Sequence, residues 1–360
     1  MKLPALKIGD IEVKIPIIQG GMGVRISKAN LAAAVTNAGG LGTISSVGIG
    51  PVEGKNMAEY APLNAAALAD NIKLAKKLAH GGPIAVNMLV AQTDYALMSK
   101  ACVTAGADMI VSGAGLPFML PEYVKDTNLK LAPIVSSARA ANIIAEKWHK
   151  RYSRLPDVFI VEGILAGGHL GFSFEELNHI EDHPLEKIVE DVIALTKELN
   201  LKYGKLIPVV AAGGIYTGAD IVKYIKMGAA GVQMATRFVC TDECDASPEF
   251  KQAYLDAKKE DITIIHSPVG LPGRVIRNDF VKNVEKGNKV PFSCPYHCLI
   301  TCIPTKVPYC IAKALLNAFA GKLEDGFAFC GANVYKCNKI VKVTELMQEL
   351  VDEAAAVPAS

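Results

Sequence analysis

Little in this chain points to a membrane or a nucleic acid. One tryptophan serves 360 residues, and aromatic residues make up only 6% of them. The formal net charge is +2, and no basic block alternates with aromatics, so no nucleic-acid partner is expected. No apolar run reaches the ~18 residues of a membrane-crossing helix, which argues against a membrane partner. Behind Met1-Lys-Leu-Pro-Ala-Leu-Lys7 no long apolar core follows. No signal peptide is recognisable, and the expected location is the cytoplasm.

Hydrophobic residues form 51% of the chain and charged residues 21%, ample for a large core. Short apolar runs lie at 15–19, 41–45, 84–89, 109–112, 131–135, 158–162, 207–211 and 231–235. Most lack polar alternation, the pattern of parallel strands buried on both faces. Helical patterns separate them at 27–38, 64–78, 94–105, 138–152, 185–199 and 217–227, with Ser27 as an expected N-cap. The link at 117–125 is shorter. Eight alternations fit a (β/α)8 TIM barrel over residues 1–240. A doubly wound open sheet is the alternative, but it normally carries one phosphate turn, after its first strand. From Cys240 the rhythm breaks. Residues 241–341 read as a smaller, mostly helical domain over the barrel mouth, with a Pro/Gly-rich loop at 267–278; residues 342–360 read as a helix packing back on the barrel. The apolar richness suggests a homodimer.

Two glycine-rich turns stand out. Pro208-Val-Val-Ala-Ala-Gly-Gly-Ile-Tyr-Thr-Gly-Ala-Asp220 ends strand seven and runs into a helix, with Thr217 and Asp220 spaced as a capping box. Gly231-Val-Gln-Met-Ala-Thr-Arg-Phe238 follows as strand eight. N–H groups of Gly213, Gly214, Ala235 and Thr236, with the Thr236 hydroxyl, suit a phosphate. One such turn is an ordinary strand-helix connection; a pair at strands seven and eight is the phosphate position of this barrel class.

Other strand ends add to the pattern. Gln19-Gly-Gly-Met-Gly23 removes side chains where a flat ring would lie, and Met22 suits contact with it, although such a loop also serves positive φ angles. His169, among Gly167, Gly168 and Gly171 after strand six, is placed for proton transfer or substrate positioning; a structural loop histidine is the alternative. Asn87 ends strand three, either to bond a polar ring edge or to cap a turn. Ser136 and Ser137 follow strand five, where one of them caps the next helix. Cys294, Cys298, Cys302 and Cys310 follow a C-x3-C-x3-C-x7-C spacing. On a helix the first three would share one face, open to a metal or cluster. Zinc sites more often use C-x2-C pairs, and buried thiols are the plainer reading.

Gln19-Gly-Gly-Met22, Ala166-Gly-Gly-His169, Ala211-Ala-Gly-Gly214 and Gln233-Met-Ala-Thr236, in that order, resemble the nitronate monooxygenase (2-nitropropane dioxygenase) family. That family includes FMN-dependent enoyl-acyl-carrier-protein reductases and NADH:quinone reductases. The resemblance implies FMN at the C-terminal face of the barrel. Gly20, Gly21 and Met22 would line its ring, Asn87 would meet the polar edge, Ser136 would lie nearby and Gly168 would support the ring. Gly213, Gly214, Ala235 and Thr236 would hold the phosphate, with Ala212 and Gln233 also in the cofactor site. His169 matches the catalytic histidine. The implied activity is oxidation of alkyl nitronates with O2 to carbonyl compounds and nitrite. The alternative is reduction of an enoyl thioester or a quinone, with NAD(P)H as reductant. A metal-binding protein without flavin chemistry and a barrel for another phosphorylated ligand are the remaining readings. The cysteine segment and a long helix five with its exit (146–156) depart from the family pattern.

Overall fold

Eight parallel strands lie where the apolar runs do: β1 (Ile17–Gln19), β2 (Gly42–Ser45), β3 (Ile84–Leu89), β4 (Met109–Gly113), β5 (Lys130–Val135), β6 (Phe159–Glu162), β7 (Val209–Ala212) and β8 (Gly231–Met234). In this computed structural model, which describes residues 1–51 and 56–358, they pair in the order β1-β8-β7-β6-β5-β4-β3-β2. A parallel bridge between Ile18 and Leu41 closes the ring, with Gln19 N donating to Leu41 O and Leu41 N to Ile17 O, both at 2.9 Å. The architecture is a (β/α)8 barrel. Strand seven starts two residues later than its apolar run; Pro208, just before it, has no N–H to add to a ladder. An N-terminal hairpin, Leu6–Ile8 with Ile11–Val13, adds its apolar side chains to those of the barrel interior.

The surrounding helices are α1 (Ala29–Asn37), α2 (Met57–Leu78), α3 (Tyr95–Ala105), α4 (Leu120–Tyr123), α5 (Ala138–Tyr152), α6 (Leu185–Tyr203), α7 (Gly218–Lys226) and α8 (Val343–Ala356). Helix α2 begins two turns before the sequence suggests, capped by Asn56, whose side chain accepts from Glu59 N at 3.1 Å. Pro62 inside it removes one bond and obscures the start. Ser27 does not cap α1. Its hydroxyl instead accepts from Met22 N at 2.9 Å, and the cap is the Asp245 carboxylate, which accepts from Lys28 N at 2.8 Å.

Helix α8 packs between α7 and α1 and supplies the eighth helix of the ring. The contact is close. A Cβ on Gly218 would lie 2.3 Å from Leu350 O, and Gly218 N donates to Glu353 Oε2 at 2.6 Å. Residues 359–360 of the expected terminal segment lie outside the described residues.

Between β8 and α8 the chain forms helices at Thr236–Val239, Pro248–Asp256, Asp279–Glu285 and Ile311–Phe319, and an antiparallel pair, Ile262–His266 with Pro272–Ile276. The stretch 267–278, read as a loop, therefore contains a strand. It pairs along its length with the adjacent Ile262–His266, and on its other edge Gly273 pairs with His169 and Arg274 with Gly168. Local glycine and proline content gives no sign of such pairing. Among the described residues no helix is long and apolar enough to cross a membrane.

Candidate active site

The C-terminal ends of the strands open into a cleft of about 230 Å3. Gly20, Gly21, Met22, Asn87, Gly168, His169, Ala212, Gly213, Gly214, Gln233, Ala235 and Thr236 all line it. Ser136 does not. It sits beyond the histidine loop, in a neighbouring hollow, 2.5 Å from where a Gly171 Cβ would be. Ser137 caps α5, accepting from Ala140 N at 3.2 Å.

Each glycine turn has a steric reason. A Cβ on Gly21 would meet Asn87 Cβ at 2.2 Å. Gln19, fully buried, braces the same turn: its Oε1 accepts from Thr43 N at 2.9 Å and its Nε2 donates to Gly20 O. Gly213 (φ 95°) and Gly214 (φ 80°) hold backbone angles that side chains resist. The Gly214 carbonyl is fixed by Asn333 Nδ2 at 2.7 Å. Among the described residues, the N–H groups of Gly213, Gly214, Ala235 and Thr236 donate to no acceptor in the chain. Four free donors on two adjacent strand ends form a cradle for an anion. Gln233 Oε1 and Ser45 Oγ are also buried without hydrogen-bond partners. Unpaired polar atoms of this kind are rare unless a ligand satisfies them. A ring with N–H and carbonyl edges and a phosphate tail fits these donors and acceptors, so the residues present suit FMN.

His169 stands over the cleft. Its Nε2 lies 2.7 Å from Ser267 Oγ, and its ring meets Phe329 edge-on at 4.8 Å. Ser267 Oγ also accepts from Val269 N at 3.3 Å, which leaves its proton for Nε2 and favours the Nδ1–H tautomer. Enclosure by protein lowers the imidazole pKa to about 4, so His169 is neutral at physiological pH. Glu162, at the end of β6, also lines the cleft. Burial raises its pKa to about 7, against a smaller opposing pull from Arg274. Arg274 is 3% exposed and donates to Ile164 O at 2.9 Å and to Ala166 O. It ties the histidine loop to strand Pro272–Ile276. Glu162, Ser267 and Arg274 escape a reading by motif, because their partners lie far away in the chain; only the position of Glu162 at a strand end was a usable signal.

The cysteine segment is not helical. Pro295, Pro304 and Pro308 lie within it, and of its four cysteines only Cys310 meets a helix, as N-cap of Ile311–Phe319. Among the described residues no three His, Cys, Asp or Glu side chains are placed to hold a metal ion. Burial pushes the Cys298 thiol up to about 12.

A family model described as nitronate monooxygenase matches residues 5–353. The chain belongs to the nitronate monooxygenase family. It is an enzyme, an FMN-dependent oxidoreductase. A probable nitronate monooxygenase of Staphylococcus saprophyticus is 30% identical over 318 residues, 81% of this chain and 84% of the relative. A (3aS,4S,5R,7aS)-5-hydroxy-7a-methyl-1-oxo-octahydro-1H-indene-4-carboxyl-CoA dehydrogenase of Mycobacterium tuberculosis is 27% identical, covering 78% of this chain and 68% of the relative. The solved structure of FabK from Thermotoga maritima superposes with a TM-score of 0.72 at 26% identity, covering 94% of this chain and 92% of that one. Within the nitronate monooxygenase family frame, the four motif stretches of this chain are those that meet around the cleft.

Proposed function

We propose that this enzyme oxidises alkyl nitronates with O2 to carbonyl compounds and nitrite, with FMN in the cleft. FMN, when bound, supplies the electron transfer. Gly213, Gly214, Ala235 and Thr236 hold its phosphate, and Gly20, Gly21, Met22, Asn87, Ala212, Gln233 and Gly168 line the rest of it. His169 positions the substrate over this bed.

The observation that carries the reading is the His169 imidazole, braced by Ser267 at 2.7 Å in the same cleft as the unpaired N–H groups. An imidazole with a pKa near 4 is a weak base. It is poorly suited to removing a proton from carbon, but it donates a hydrogen bond from Nδ1 well. That favours a substrate that arrives already as an anion, a nitronate rather than a neutral nitroalkane. The test is oxygen uptake and nitrite release by the FMN-loaded protein with ethyl or propyl nitronate. No oxygen uptake with either would remove this reading.

A second reading, NAD(P)H-dependent reduction of an enoyl thioester, draws on the hollow of about 850 Å3 that opens beside His169. Its mouth carries Lys187, Glu176 and Asp191, and it has room for a bulky carrier. Anaerobic bleaching of the flavin band by NADH, reversed by crotonyl thioester, would support it; an intact band would end it.

A further inference from the structure

We propose that Cys294, Cys298, Cys302 and Cys310 together hold an iron–sulfur cluster of the four-iron, four-sulfide kind, next to the flavin cleft. The inference goes beyond the functional reading above and does not depend on it.

The turns that stand in place of a helix are what gather the thiols. On a helix Cys294 and Cys302 would lie about 12 Å apart along the axis. Instead the segment folds over the loop that follows β3. Leu299 bridges Gln92, Thr93 N donates to Cys298 O at 3.1 Å, and Thr93 Oγ1 donates to His297 O at 2.6 Å. His297 holds a φ of 45°, and its Nε2 lies 3.0 Å from Cys302 O, which curls the chain between the two. Cys298 and Cys302 then pack against the apolar group that includes Tyr309 and Ile311, the neighbours of Cys310 on either side. Cys294 completes the set, because the four sulfurs lie within electrostatic reach of one another in every pairing. All four are free thiols.

Without a cation the site disfavours thiolates. Burial raises the thiol pKa of Cys298, Cys302 and Cys310, and the neighbouring sulfurs add to the rise. A bound cation reverses this and deprotonates its thiols. The spread of the sulfurs decides which cation fits. One zinc ion draws every sulfur to about 2.3 Å, and among the described residues no three donors are placed to hold a single ion. A four-iron cluster binds each cysteine through a different iron, so its ligands stand further apart. With four thiolates such a cluster is an anion. Lys313, near enough to favour the Cys310 thiolate, and the start of helix Ile311–Phe319 both offset that charge. Cys298 and His169 border one cavity, and His169 also lines the cleft, so the cluster adds a one-electron centre beside the flavin.

The experiment is anaerobic reconstitution of the full-length FMN-loaded protein with ferrous iron and sulfide, followed by iron, zinc and sulfide analysis after gel filtration. About four iron and four sulfide per chain should be retained. Dithionite-reduced protein should show the low-temperature EPR signal of a reduced cluster, which flavin does not give. Cys294→Ser and Cys302→Ser should each lose most of the iron and the EPR signal while still binding FMN. The EPR signal of the unaltered protein keeps the test decisive if a variant fails to fold. Retention below about a tenth of that iron and sulfide would overturn the proposal. So would one zinc per chain without sulfide, or iron that survives both substitutions.

Discussion

Replacing Glu162 by Gln should stabilise the cofactor-free protein above neutrality. The Glu162 carboxyl sits at the end of β6 with a pKa moved by burial from an ordinary 4.5 to about 7. Between those values the unfolded chain releases the proton while the folded chain keeps it. Stability is therefore full below about pH 4.5 and falls as pH rises towards 7. At 1.36 kcal/mol per tenfold change in proton affinity, the move from 4.5 to about 7 amounts to about 3 kcal/mol. Because the residue keeps partial solvent contact, about 2 kcal/mol is the better expectation. Glutamine has the shape of the protonated acid and never ionises, so the variant avoids the loss. Urea unfolding of flavin-stripped protein from pH 5 to pH 8.5 measures the difference. The variant's lead should be under about 1 kcal/mol near pH 5 and grow steadily to about pH 7.5. A gap independent of pH, or a wild type that is more stable at pH 8, would refute the reasoning.

Other perturbations follow from the same geometry. Ser267→Ala removes the 2.7 Å partner of His169 Nε2, so kcat for nitronate oxidation should drop about tenfold or more and its pH profile should shift, with the flavin spectrum unchanged. An unaltered profile would leave Ser267 without a role. Gly214→Ala forces a side chain into φ 80° and brings its Cβ to 2.9 Å from that of Leu165. FMN affinity, followed by quenching of its fluorescence, should weaken about tenfold. Asp245→Ala strips the cap from α1 and should lower the unfolding free energy by about 1 kcal/mol, read from the urea midpoint at pH 7.

The barrel strands were legible because they are buried on both faces, and runs such as Ile84-Ala-Val-Asn-Met-Leu89 carry that burial in their own composition. The Thr217–Asp220 capping box was legible for a similar reason: both partners lie within three residues, and the structure forms it. What failed depended on distant partners. Ser27 has the right chemistry and place for a cap, yet Asp245, 217 residues beyond Lys28, takes that role. The strand at Pro272–Ile276 pairs on one edge with the neighbouring Ile262–His266 and on the other with Gly168 and His169, which lie far back in the chain. The cysteine spacing implied a helical face, but residues 294–302 run as turns and irregular backbone, with Pro295 next to Cys294. Gly20, Gly21, Gly213 and Gly214 were found at the cleft because glycine at a strand end carries its own steric signal. Glu162 and Arg274 were passed over, because what distinguishes them is the surroundings that burial creates.

The late arrival of α8 bears on how the molecule is made. A ribosome releases β1 to β8 and seven outer helices long before Val343–Ala356 emerges. Until then the flank between α1 and α7 is uncovered, including the groove that Gly218 leaves open for Leu350. The nascent barrel must therefore carry an open seam while the intervening hundred or so residues are synthesised, a span of roughly 5–20 s at ordinary elongation rates. A premature stop before Val343 would make that seam permanent and leave a chain prone to aggregate.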